Sequence, residues 1–329
     1  MSGANGERLS GFYALTPERI LDAVEVDGRR CTGRFIILNS YENRVYQLEL
    51  DDGSYVVGKF YRPARWSDDA ILDEHDFLID LEEAEIPVAA PLELGEGETL
   101  RQVEGIRYAL FPRIGGRAPT EMTDDQLRQL GRLLARIHGV GRSEIAEFRP
   151  QMTPTAWLID NLEILRSGDH IPGATAVRYA DVVRRIHDLA APAFEGVPLQ
   201  RIHGDCHLGN LLWSPGGLVF LDFDDLVMGV PVQDFWMMQG GQDAWAERRL
   251  ELMLEGYETM ADFNRGSLRL VESLRAMRMV HFATWIARRW EDPAFPVAFP
   301  HFGTASWWEG EVRDLMEQLG RVQESLLGY

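Results

Sequence analysis

The sequence predicts an α+β protein of two lobes, a small antiparallel β-rich lobe followed by a larger helical one. Three observations carry this reading. Three β-rich runs joined by tight turn signals crowd the first third of the chain, Ile114-Gly115-Gly116-Arg117 then breaks the pattern, and helical spacing dominates the remaining two thirds. The 329 residues suffice for two domains at roughly 100–200 residues each, and the expected division is 1–113 and 114–329. Hydrophobic residues at 45% and aromatics at 10% supply large cores and argue against disorder as the main state.

Taken in order, residues 34–38 and 44–50 flank the turn-rich Asn39-Ser40-Tyr41-Glu42-Asn43, and Asp51-Asp52-Gly53-Ser54 leads into 55–61. Two tight turns between three strands describe a meander. Ser67, followed by Asp68 and Asp69, is a helix start, and that helix is expected to run to about Ala84. Beyond Pro87 and Pro91, residues 92–94 and 106–111 are further strand candidates. Thr123-Asp124-Asp125-Gln126 reads as a capping box, with Leu127, Leu130, Leu134 and Ile137 following on one helical face. Further helices are expected at about 155–166, 176–193, 242–258, 267–289 and 304–326, interrupted by two β-like runs at 199–202 and 218–221.

Thirty-three Lys and Arg against 52 Asp and Glu leave a net charge of −19. Such a field repels polyanions and argues against a nucleic-acid or anionic-membrane surface. Cys31 and Cys206 cannot build a disulfide framework or a four-cysteine zinc site. The first residues lack a secretory apolar stretch, and no run approaches the ~18 apolar residues of a membrane helix. A cytoplasmic protein without membrane insertion is the expectation.

The densest polar cluster is His203-Gly204-Asp205-Cys206-His207-Leu208-Gly209-Asn210, and the apolar run Val219-Phe220-Leu221 ends in Asp222 shortly after it. An Asp, an Asn five residues on and a strand-terminal Asp suit phosphoryl transfer. One carboxylate takes the proton of an attacking hydroxyl, while an amide oxygen and a second carboxylate hold Mg²⁺ against a triphosphate. The competing reading is zinc held by His203, Asp205, Cys206 and His207, although the chain offers no helical His-x-x-x-His pair. A plain turn of mutually satisfied buried polar groups is the third. The N-terminal lobe adds Lys59 inside an apolar strand, costly unless it meets negative charge. It also adds Glu74 between Ile71 and Leu78 on the sheet-facing side of the following helix. A Lys59–Glu74 pair presenting its ammonium to nucleotide phosphates accounts for both.

Lys59, Glu74, Asp205, Asn210 and Asp222, in that order, resemble the protein-kinase-like fold, and His-Gly-Asp-x-His-x-x-Asn resembles its aminoglycoside and choline phosphotransferase branch. Leu38-Asn39-Ser40-Tyr41-Glu42-Asn43-Arg44-Val45-Tyr46, Lys59-Phe60-Tyr61-Arg62-Pro63, Arg275-Ala276-Met277-Arg278 and Trp290-Glu291-Asp292-Pro293-Ala294-Phe295-Pro296 are similar to the bacterial stress response kinase A family. The resemblance runs from about residue 38 to 296. It implies a cytoplasmic, monomeric serine/threonine protein kinase tied to stress response and using ATP and Mg²⁺. Asp205 would be the proton acceptor, Asn210 and Asp222 would bind Mg²⁺, with Asp222 part of the catalytic set. Lys59 would meet the α/β-phosphates with Glu74 holding it, Ser40 would touch the nucleotide, and Asp234 would brace the catalytic loop, an ordinary carboxylate at a helix N-terminus being the alternative for that residue.

The 39–43 turn contains no glycine, unlike the glycine-rich loops of ordinary protein kinases. Ser40 and Asn39 or Asn43 would then have to donate to phosphate. Proteins are the expected substrates, with a small cationic alcohol as the alternative that an acidic chain would suit. A nucleotide-binding module without catalysis is the remaining alternative. Phe223 to Gln233 carry no Ser, Thr or Tyr, and Asp224 and Asp225 are expected to repel a nearby phosphate.

Overall fold

The structure is a computed structural model describing residues 12, 15–38, 40–241 and 243–327. The chain gathers into two compact units. The first is Met1–Arg149 with Arg201–Leu226 and Gly241–Ala261, and the second is Pro150–Gln200 with Val227–Gly240 and Asp262–Tyr329. These bounds differ from a division at 113/114, because the polar cluster at 203–210 and the strand leading to Asp222 fall in the same unit as the sheet.

The first unit is built on a five-stranded antiparallel sheet of order β1-β2-β3-β5-β4, formed by β1 (Cys31–Leu38), β2 (Arg44–Leu50), β3 (Tyr55–Phe60), β4 (Arg101–Val103) and β5 (Ile106–Pro112). The turn before β3 forms as its residues dictate. Asp52 accepts from the Ser54 amide at 2.8 Å, and Gly53 takes the left-handed φ of 84°. Residues 92–94, expected as a strand, lie outside the ladder; Leu92 donates its amide to the Leu110 carbonyl at 2.7 Å. The fifth strand is instead Arg101–Val103, turned into β5 by Glu104 and Gly105, both at positive φ. It is three residues long with no apolar alternation, so periodicity has nothing to detect there.

The apolar face of the sheet carries Tyr46, Leu48, Val56, Phe60, Tyr108 and Leu110. A short helix not expected from the sequence, α1 (Pro17–Val24), covers it with Ile20, Ala23 and Val24. Thr16 caps α1 and Pro17 opens it, a start signal hidden among polar residues. Helix α2 (Asp68–Glu83) begins at the expected Ser67 cap and buries Ile71, Glu74 and Leu78 together.

Helix α3 (Asp124–Gly141) starts at the expected capping box. It lies against α4 (Ala244–Glu258) at a distance only glycine permits. A Cβ on Gly131 would come within 1.9 Å of the Met253 carbonyl oxygen, and one on Gly256 within 2.0 Å of that of Arg128. The second unit is helical, and its helix Gly173–Phe194 packs on Ala305–Leu327 with Tyr179 set edge-on to Trp308 at 5.1 Å. Asp234 is fully buried in the first turn of a helix over Val232–Gln239. Among the described residues, no helix is long and apolar enough to cross a membrane.

Gly131→Ala is expected to destabilise the protein by about 1–3 kcal/mol or more, because both collision partners are backbone. Gly139→Ala on the open side of the same helix meets nothing within 4 Å and should be neutral or stabilising by up to about 1 kcal/mol. Urea unfolding of the two variants checks the contrast; equal midpoints would mean that the α3–α4 approach is not tight.

Candidate active site

Lys59 sits on β3, the central strand, opposite Val45 on one side and Ala109 on the other. Its side chain is buried and points at Glu74 of α2, with Nζ 3.0 Å from Oε1. The expected ion pair is therefore formed, on a strand with a neighbour on each side. Composition holds a signal that motifs alone do not carry: Lys59 is the only lysine in the chain, every other basic side chain of the 33 being arginine. A compact ammonium occurs at the one place where it is buried between carboxylates.

Three residues that the sequence does not assign to the site complete this arrangement. Arg149 is fully buried and donates to Glu74 Oε2 at 3.0 Å, to the Ala70 carbonyl at 2.6 Å and to the Asp224 carbonyl at 2.7 Å. Asp224 places Oδ1 3.0 Å from Lys59 Nζ and pairs through Oδ2 with Arg65. Arg65 also reaches Asp225 at 2.5 Å. Burial would drive the Lys59 ammonium towards neutrality, but Asp224 and Glu74 outweigh it and hold its pKa well above the ordinary lysine value. Burial likewise works against the Asp224 carboxylate, and Arg65, Lys59 and Arg149 overcome it, keeping that group below the usual range. Asp224 is thus an ion-paired carboxylate of the interior, whereas Asp225, expected with it to repel a nearby phosphate, is half-exposed and shares Arg65.

The polar cluster forms a loop closed by a hairpin. Leu211–Ser214 pairs with Gly217–Phe220 in a register that sets Leu211 opposite Phe220, and Leu221 donates its amide to the Asn210 carbonyl at 2.9 Å. That register brings Asn210 beside the residue preceding Asp222. Asn210 Nδ2 donates to the Asp205 carbonyl at 3.0 Å, which turns its Oδ1 the other way. Asp222 takes a left-handed φ of 58°, and its side chain is 57% exposed, 3.7 Å from Lys59 Nζ. His203 places Nε2 2.9 Å from the Leu221 carbonyl and rests its ring 4.4 Å from that of Phe223.

His207, on the sequence a possible zinc ligand and part of the His-Gly-Asp-x-His-x-x-Asn run, lies beside Asp205. The Gly209 amide donates to its Nδ1 at 3.0 Å, so the neutral ring carries its proton on Nε2, 3.4 Å from Asp205 Oδ2. Among the described residues, no group of three or more His, Cys, Asp or Glu side chains is placed to hold a metal ion. The oxygens of Asn210 and Asp222 fit a hard cation that takes its other ligands from a phosphate or water.

In the first turn, Ser40 is exposed and its Oγ accepts from the Asn43 amide at 3.0 Å. Asn43 is committed elsewhere. Its Nδ2 donates to Asp224 at 3.1 Å and its Oδ1 accepts from the Arg62 amide at 3.1 Å, so it is a clamp and not the phosphate donor expected from the sequence. Asn39 lies outside the described residues.

Residues 36–271 match the phosphotransferase enzyme family. Stress response kinase A of Salmonella typhi is 39% identical over 314 residues, covering 95% of this chain and 95% of that protein. A Salmonella typhimurium protein named serine/threonine protein kinase RdoA is 38% identical over the same length, with the same coverage of each. Among solved structures, an amicoumacin kinase in complex with AMP-PNP, Ca²⁺ and Ami superposes with a TM-score of 0.74 at 16% identity, covering 94% of this chain and 96% of that one. A microcompartment-associated aminopropanol kinase gives 0.67 at 19% identity, over 90% and 93% of the two chains. These two show the fold, which is the protein-kinase-like phosphotransferase fold expected from the sequence.

His75, next to Glu74, supplies a pH test of this core. It is buried between Tyr61 and Thr99, and burial first, then Lys59 and Arg149, lower its pKa to about 3. The unfolded chain takes up that proton near the ordinary value of about 6.5. The unfolded state therefore binds more protons between these limits, and stability is full above pH 6.5 and falls as pH drops towards 3, by up to about 4 kcal/mol. The Asp224 carboxylate gives up its contribution only below about pH 3.9, so above pH 4 the His75 slope is free of it. Urea unfolding against pH should show this slope in the wild type and a flatter one above pH 4 in His75→Gln.

Proposed function

We propose that this chain, which belongs to the phosphotransferase enzyme family and within it to the stress response kinase A family, transfers the γ-phosphate of ATP to serine or threonine hydroxyls of proteins. The observation carrying the chemistry is the buried Lys59–Glu74 pair, 3.0 Å apart, with the exposed carboxylate of Asp222 3.7 Å from the same ammonium. Protein as the acceptor is supported by the near full-length relation to a protein named serine/threonine protein kinase.

In this reading Lys59 binds the α/β-phosphates and Glu74 fixes it, Ser40 touches the nucleotide, and Asn210 and Asp222 hold Mg²⁺. The metal, when bound, neutralises charge on the transferring phosphoryl group. Asp205 accepts the proton of the attacking hydroxyl, oriented from one side by the Nε2–H of His207 and from its own backbone by Asn210. The second reading is a kinase for a small cationic alcohol, favoured by the net charge of −19 and by the fold shared with an aminopropanol kinase.

The experiment that separates them is incubation of the purified protein with γ-labelled ATP and Mg²⁺, offered a proteome extract and a panel of amino alcohols. Label on protein hydroxyls supports the first reading; label only on the alcohols overturns it in favour of the second. Asp205→Asn should lower transfer by about 10²–10⁴-fold while leaving ATP binding intact, and normal turnover in that variant would remove Asp205 from the role.

The same reading gives an enzyme active as synthesised. No Ser, Thr or Tyr lies between Asp222 and Asp234 to be switched. Phosphatase treatment should leave turnover unchanged, and mass spectrometry should find no phosphosite at 222–239; loss of most activity on dephosphorylation would contradict this.

A further inference from the structure

We propose that Asp224, with Arg65 as its counter-ion, is the residue that positions the ammonium of Lys59, and that it is not itself a metal ligand. The inference rests on the kinase reading above and concerns the division of labour between two carboxylates. Asp222 and Asp224 both face Lys59, at 3.7 and 3.0 Å. They differ in what else surrounds them. Asp222 is 57% exposed, whereas the Asp224 side chain is only 5% exposed. Asn43 donates to Asp224 Oδ2 at 3.1 Å, Arg65 pairs with the same oxygen, and Arg149 holds its carbonyl at 2.7 Å. A divalent cation could reach Asp224 only by displacing a guanidinium or the ammonium itself.

The arrangement suits a lysine that must offer one hydrogen bond in one direction. An ammonium has three donors on a flexible four-carbon stem. Glu74 on α2 accepts one at 3.0 Å, Asp224 Oδ1 on the segment after Asp222 stands 3.0 Å from the same ammonium as an ion pair, and a donor is left for a phosphate oxygen. Two carboxylates beside a phosphate site would ordinarily repel it. Here Arg149 pairs with Glu74, and Arg65, which also meets Asp225 and Glu42, pairs with Asp224, so part of that repulsion is offset beside Lys59. Ala64, at a left-handed φ of 64°, turns the chain just ahead of Arg65.

Because Lys59 is the only lysine, growth on [ε-¹³C]lysine gives a single side-chain resonance that reports on it with or without activity. We compare full-length wild type, Asp224→Asn, Arg65→Gln and Asp222→Asn by this signal, and by ATP affinity in EDTA and across a Mg²⁺ titration. Asp224→Asn should move the resonance in the nucleotide-free protein and weaken metal-free ATP binding about tenfold, with the half-effective Mg²⁺ concentration within about twofold of wild type. Arg65→Gln should move both readouts the same way. Asp222→Asn should keep metal-free affinity and lose the Mg²⁺ enhancement. A shift of about tenfold in half-effective Mg²⁺ in Asp224→Asn, with the lysine signal unmoved, would make Asp224 a metal ligand and overturn the proposal. An unmoved signal and unchanged affinity would overturn it equally. If Asp224→Asn fails to fold, Arg65→Gln decides the question by the same criteria. If wild type binds no ATP, the functional reading fails, while the lysine resonance still judges the positioning role.

Discussion

Everything around the candidate site depends on keeping five buried charges mutually satisfied. Lys59, Arg65 and Arg149 meet Glu74 and Asp224: each carboxylate faces two cations, and Asp224 meets the third through its backbone carbonyl. Removing one partner of a buried pair typically costs about 3–5 kcal/mol, a large share of a domain's net stability. Partial versions of this network are therefore unstable, and the chain folds to the complete one. Completeness constrains where the elements go: β3 must present Lys59 to Glu74 on α2, and the segment after Asp222 must bring Asp224 to the same ammonium.

The same network limits motion. Arg149 binds the Ala70 carbonyl and the Glu74 carboxylate of α2, and the carbonyl of Asp224. For α2 to swing outwards, a fully buried guanidinium would lose partners while staying in the interior. That state is expensive by the arithmetic that stabilises the closed one.

Distance along the chain decides how much of this is legible in the sequence. Lys59 and Glu74 are legible because each breaks a local pattern, a lysine in an apolar strand and a glutamate in the apolar stripe of a helix. Asp205, Asn210 and Asp222 are legible as residue types at a spacing that one loop and one hairpin can close. Arg149, Arg65, Asn43 and Asp224 break no local pattern, and the contacts Arg149–Glu74, Arg65–Asp224 and Asn43–Asp224 that join them to the site span 75 to 181 residues. Asp224 misleads for the same reason: with Asp225 beside it, it resembles a solvated acidic turn until Arg65 is brought over it. The 92–94 run and the short strand at Arg101–Val103 change places because the first carries the apolar residues and the second the ladder.

On the proposed reading, Asp224 also explains how the site can do without a regulatory phosphate. In kinases switched by loop phosphorylation, the added phosphate supplies an anion that arginines can grip, and the grip orders the segment after the metal-binding Asp. Here that segment carries its own anion two residues after Asp222, gripped by Arg65 through the carboxylate and by Arg149 through the backbone. A carboxylate in this position is permanent, so the ordering it brings is part of folding. The lysine, its glutamate and the segment bearing Asp222 are then assembled by the same event that buries the core, and no later modification is needed to bring them together.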